Sequence, residues 1–200
     1  PPAPSPQPPA PSPQPPAPHP CLHVLPAMLR LMWAEELERW LPELLGPRDI
    51  RLIASSSDAL DVRQPTPKIV LTSYRMALAL RADLGRRSFV CVVADESHTL
   101  RSTTRATDAQ QTEAVASLAA SATHVLLLSG TPSLSRPFQL YRQVDLLAPG
   151  LLGRTKWHFA REYCTSVPTS RGFVAPLGSG QRDWELHLLL RSAAMARATC

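Results

Sequence analysis

Asp95, Glu96, Ser97 and His98 stand in a row directly after the apolar run 88–94. Two adjacent carboxylates at a strand end suit metal–nucleotide chemistry. One can hold Mg²⁺ through its waters while the next orients an attacking water. A second polar group, Ser129, Gly130, Thr131 and Pro132, follows the apolar run 123–128. There a short turn brings a hydroxyl and backbone amides to a strand end, with Gly130 expected to permit a tight conformation. Plainer readings exist for each cluster alone: the carboxylates cap a helix N-terminus, and the Ser-Gly-Thr-Pro stretch is an ordinary turn. Their separation by about one strand–helix–strand unit favours a shared crevice. A Ser–His–acid triad from Ser97, His98 and Asp95 is disfavoured, because three consecutive residues do not converge and no G-x-S-x-G elbow exists. No histidine or cysteine at ligand spacing makes His98 a zinc site.

The elements that must position these clusters alternate along the chain. Residues 21–25 are a short apolar run ending at Pro26, and residues 49–55, 68–74, 88–95 and 123–130 read as strands, the last two as buried strands of the parallel type. Residues 29–45, 75–84, 110–122, 135–149, 157–164 and 184–197 read as helices. On the helix 29–45, Leu29, Met32, Trp33, Leu37 and Trp40 recur at helical spacing, so Trp33 and Trp40 are expected in the core. Residues 165–181, rich in glycine, proline and serine, read as a loop. The whole predicts an α/β fold with a parallel sheet covered by helices on both faces. In such sheets ligands bind beyond the carboxyl ends of the strands.

The first 20 residues repeat the unit PPAPSPQ and hold 12 of the 22 prolines. Proline fixes its torsion and donates no backbone hydrogen bond, so a disordered, polyproline-type tail is expected over 1–20. It carries neither the basic start nor the apolar core of a signal peptide. It offers a ligand to proline-recognising domains. No apolar stretch is long enough to cross a membrane as a helix. The four cysteines, at 21, 91, 164 and 200, show no zinc-knuckle or redox spacing. A net charge of +5 attracts phosphate weakly and does not by itself mark a nucleic-acid binder. Only Lys68 and Lys156 are lysine.

Three stretches together carry a resemblance: LRLMWAEELERWLPELL, VVADESHTLRS and LLLSGTPSLSRPFQLYRQVDLLAP. In this order they resemble the first, RecA-like lobe of the SWI/SNF-type helicase-like ATPases, nearest the annealing-helicase (HARP-like, SMARCAL-type) branch. The resemblance spans about residues 21–200. It implies a P-loop-type lobe, ATP and Mg²⁺ as cofactors, forked or double-stranded DNA as partner, and nuclear work in fork remodelling and repair. It implies Asp95 as the Mg²⁺ carboxylate, Glu96 as the residue activating water, and His98 as a link from the nucleotide to the neighbouring motif. Ser129, Gly130, Thr131 and Pro132 correspond to the motif coupling ATP to DNA. Arg30, Thr72, Ser73 and Tyr74 correspond to DNA-side positions.

One departure weighs against catalysis. The family's phosphate loop needs Gly-Lys-Thr or Gly-Lys-Ser, whose amides and lysine hold the phosphates. The sequence contains neither. Residues 21–200 are thus expected to form an incomplete lobe, inactive as an ATPase by itself and exposing an unpaired sheet edge. A non-catalytic role in binding DNA or protein is the alternative.

Overall fold

The computed structural model describes residues 20–46, 48–61, 63–130, 136–168, 174–179 and 182–194. The expected disordered tail therefore lies outside the described residues, apart from Pro20. Five parallel strands form one sheet in the order β2-β3-β1-β4-β5: β1 Cys21–Leu25, β2 Ile50–Leu52, β3 Ile69–Ser73, β4 Cys91–Ala94 and β5 His124–Leu127. The helices are α1 Arg30–Trp40, α2 Tyr74–Ala79, α3 Arg81–Gly85, α4 Gln110–Ala120, α5 Tyr141–Leu147, α6 Lys156–Tyr163 and α7 Asp183–Ala193.

Alternation along each strand sends side chains to opposite faces. Leu22, Val24, Val70, Val92 and Ala94 meet α2, α3 and α4 through Ala77, Leu84, Val115 and Leu118. Leu25, Ile69 and Leu71 take the other face, under Trp33, Ala34 and Leu37 of α1. A second cluster, built on Phe138, Tyr141, Val144, Phe159 and Leu186, packs α5, α6 and α7 together. Phe159 and Tyr163 stack at 5.2 Å within it.

Three expectations need correcting. Residues 123–130 are not a buried strand: β5 alternates exposed and half-buried, and Leu126 keeps 50% of its surface. No described strand pairs with its outer edge. Trp40 is 72% exposed, bonded through its indole N–H to Glu36, so it is not core. The stretch 165–181 is not all loop: β6 Cys164–Pro168 and β7 Val174–Ser179 pair as an antiparallel hairpin. Prolines and glycines made it read as a loop, but a two-stranded ribbon has only edges, where proline is tolerated.

Candidate functional site

β4 ends at Ala94, and the chain turns at once. Glu96 adopts the left-handed conformation, φ 51°, ψ 47°, the one non-glycine residue among those described with positive φ. A bulky side chain there stores strain, a pattern common at functional sites. Asp95 is held from several directions. Its backbone N–H donates to Val24 O at 2.9 Å. Its Oδ1 accepts the Glu96 N–H at 2.9 Å. Its Oδ2 accepts the Trp33 indole N–H at 3.1 Å. Its carbonyl accepts the Tyr74 hydroxyl at 2.6 Å. Asp95 is thus no helix cap: its carboxylate is oriented by an aromatic donor 62 residues away in sequence. Sequence reasoning placed Trp33 in the core and missed this contact.

The two strand-end clusters meet. The Ser97 N–H donates to Leu128 O at 2.9 Å. His98 Nδ1 lies 3.1 Å from Glu96 Oε2 and 3.4 Å from Ser129 Oγ, so the imidazole bridges the turns after β4 and β5. The Ser97 hydroxyl donates to Gln143 Oε1 of α5 at 3.3 Å. Gly130 is not left-handed, and a Cβ there would meet nothing within 4 Å, so no local constraint demands glycine. Thr131 and Pro132 lie outside the described residues.

A cavity of about 560 Å³ opens at the carboxyl ends of β1 and β3, lined among others by Leu25, Arg30, Ser55, Ser73, Tyr74 and Arg75. Arg30 donates through Nε to Ala27 O at 3.0 Å and through Nη1 to Ile53 O, so part of its guanidinium braces the rim. The Ser73 hydroxyl caps α2 by accepting the Met76 N–H at 3.2 Å. Tyr74 also lines the cavity, and its hydroxyl is committed to Asp95. Burial and the nearby Asp95 and Glu96 push its pKa up. Of the four DNA-side candidates, Thr72 stands apart: it is fully buried in β3 and its hydroxyl has no partner.

On metal and nucleotide the residues divide. Asp95 and Glu96 suit a Mg²⁺ ion, which takes one or two carboxylates and fills its remaining positions with water and phosphate. Among the described residues no group of three His, Cys, Asp or Glu could hold an ion unaided. Phosphate would have to complete the shell, and the given sequence holds no Gly-Lys-Thr or Gly-Lys-Ser stretch to cradle it. Both lysines are engaged elsewhere: Lys68 with Asp49 at 3.0 Å and Leu44 O at 2.8 Å, Lys156 with buried Asp108 at 2.8 Å. Among the described residues the carboxylates fit a metal ion, and neither lysine is free for a phosphate.

Comparison with known proteins identifies the fold and the family. A SWI2/SNF2 ATPase core from Sulfolobus solfataricus, solved in complex with dsDNA, superposes with a TM-score of 0.66 at 21% identity, covering 91% of this chain and 34% of that one. The fold is therefore the RecA-like one of that core. The human protein named DNA annealing helicase and endonuclease ZRANB3 is 34% identical over 152 residues, 74% of this chain and 13% of its own length. The Mus musculus protein of that name is 34% identical over 191 residues, 89% of this chain and 16% of its length. The Xenopus tropicalis SWI/SNF-related matrix-associated actin-dependent regulator of chromatin subfamily A-like protein 1 is 32% identical over 179 residues, 89% of this chain and 18% of its length. The chain thus spans under a fifth of the length of these relatives. The family profile described as SNF2-related domain matches residues 10–199, nearly the whole sequence, and the chain belongs to the SNF2-related domain family.

Proposed function

We propose that residues 21–200 form the DNA-facing part of the first lobe of an annealing-helicase-type DNA translocase, working at replication forks and in DNA repair in the nucleus. The observation that carries this reading is the adjacency of two features on one rim. A cavity with Arg30, Arg75, Ser55 and Ser73 on its walls opens beside the turn bearing Asp95 and Glu96. The Arg30 and Arg75 guanidiniums and the Ser73 hydroxyl, in a concave site, suit phosphate oxygens of a nucleic acid backbone, whereas the Ser55 hydroxyl donates to Asp58. In the complete enzyme Asp95 would hold Mg²⁺ on ATP, Glu96 would orient the attacking water, and His98 with Ser129 would relay the nucleotide state. Thr131 and Pro132 belong to the same relay by family resemblance, and Thr72 supports the DNA side from inside the sheet. The proline repeat 1–20 is offered as a ligand for a proline-recognising domain.

By itself the chain binds DNA without turning over ATP. Committed lysines and the lack of a Gly-Lys-Thr/Ser sequence favour this second reading for the isolated chain. Fluorescence anisotropy of labelled duplex and forked oligonucleotides tests it. Expected is binding that weakens steeply with added salt and weakens further in Arg75→Ala. ATP turnover is expected at background, unchanged by Glu96→Gln. No binding at low salt would overturn the DNA assignment. DNA-stimulated turnover abolished by Glu96→Gln would overturn the second reading.

A further inference from the structure

Asp95 is the point where the cavity rim and the β4 turn are tied together, one tie coming from a cavity-lining residue and the other from a residue one helical turn beyond one. On α1, Arg30 lines the cavity and Trp33 follows it by about one turn. The Trp33 indole N–H donates to Asp95 Oδ2 at 3.1 Å. At the start of α2, Ser73 and Tyr74 both line the cavity, and the Tyr74 hydroxyl donates to Asp95 O at 2.6 Å. The Trp33 ring is itself fixed edge-on by the buried His23 ring, with centroids 5.4 Å apart and an interplanar angle of 78°.

We propose that Trp33 and Tyr74 are positioning residues that couple the cavity to Asp95, so that a nucleic acid phosphate seated between Arg30, Ser73 and Arg75 reorients the Asp95 carboxylate. This rests on the reading that the cavity takes nucleic acid. The physical basis is short and contiguous. A ligand drawing on the first turns of α1 and α2 displaces the indole and the phenol. The indole holds the Asp95 carboxylate directly, and the phenol holds the Asp95 carbonyl and so the backbone from which that carboxylate projects. Coupling of this kind is reciprocal: whatever fixes Asp95 also tunes the cavity.

The test uses the full chain labelled with ¹⁵N. Each of the four tryptophans gives one indole N–H resonance, and Trp33→Phe identifies that of Trp33. If that variant does not fold, phenylalanine at Trp40, Trp157 and Trp184, all exposed, assigns Trp33 by elimination. A duplex oligonucleotide is titrated in, with binding followed separately by anisotropy. Expected is a Trp33 shift that saturates in step with the binding curve and shrinks by at least half in Asp95→Asn and in Tyr74→Phe. If DNA binds and the Trp33 resonance stays, the coupling is overturned while the DNA reading stands. If the shift persists unchanged in Asp95→Asn, the ring senses DNA directly and the coupling is again overturned. If no DNA binds by anisotropy, the reading of the cavity fails and the coupling with it.

Discussion

One face of the sheet shows two fates for apolar sequence. Under α1, Leu25, Ile69 and Leu71 are sealed by Trp33, Ala34 and Leu37. At β5, Leu126 stands at 50% exposure, and β5 pairs only with β4 among the described strands. The other sheet edge, β2, is three residues long and carries the exposed Arg51, a charge that discourages further pairing. β5 has no charged residue, only His124, Val125, Leu126 and Leu127. Burial is thus decided by what lies over a strand, and the apolar run alone does not report it. The two flanks also differ at their strand ends. The β1–β3 flank holds a formed cavity, whereas the β4–β5 flank offers carboxylates without a phosphate anchor.

The largest effect expected of a single substitution lies under α1. Leu71 is fully buried, and Leu71→Ala should lower unfolding stability by ~2–5 kcal/mol through lost burial and a residual cavity. Chemical denaturation measures it. A cost under about 1 kcal/mol would mean that α1 does not clamp the sheet, and the contrast would collapse.

The next effect is acid-dependent and belongs to the same flank. His23 is buried, its Nδ1 has no partner, and burial pushes its pKa down from 6.5 to about 4. The unfolded chain therefore binds the proton first as pH falls. Stability from neutral His23 is complete above about pH 6.5 and is lost as pH falls toward 4. At about 1.4 kcal/mol per pH unit, that window removes up to ~3 kcal/mol. His23→Leu should flatten this part of the stability–pH curve. An unchanged slope would show that His23 is hydrated and that this flank is less tightly sealed than Leu71 implies.

On the other flank the strain at Glu96 gives a smaller effect of opposite sign. Glycine meets no steric penalty at φ 51°, so Glu96→Gly should stabilise the fold by about 1 kcal/mol. Thermal unfolding reads this as a raised Tm. A lowered Tm would mean that the bridge to His98 outweighs the strain.

The fold was largely legible because the strands are short apolar runs between helical spacings. Both strand-end clusters were legible for the same reason: polar residues stand out after Ala94 and Leu128. The inward face of α1 was not. Apolar residues occupy positions 29, 31, 32, 33, 34 and 37, so more than one stripe fits the spacing. Packing chose Trp33, Ala34 and Leu37, leaving Leu31, Met32 and Trp40 outside. The tie from Trp33 to Asp95 was invisible for another reason. It depends on β1 lying beside β4, a fact of topology and not of local pattern. The available clue was an indole in the helix directly following β1. The exposure of β5 had a compositional clue of the wrong kind, since a buried strand and an unguarded edge share the same apolar sequence.

The smallest stability change separates those two cases. Val125 and Leu127 pack against the core while Leu126 points away from it. Leu126→Ala should therefore cost well under the Leu71 value, ~0.5 kcal/mol or less, as for an exposed side chain. Leu126→Lys should leave stability within about that margin too, since an ammonium at an exposed edge is neither desolvated nor crowded. Its effect should fall instead on association, because a charge at an edge strand discourages strand-to-strand pairing between chains. Light scattering of the two proteins at equal concentration should show less aggregate for Leu126→Lys. A destabilisation of 2 kcal/mol or more (on the core scale) in either variant would mean that the face at β5 is covered in solution, and the two fates of the sheet face would reduce to one.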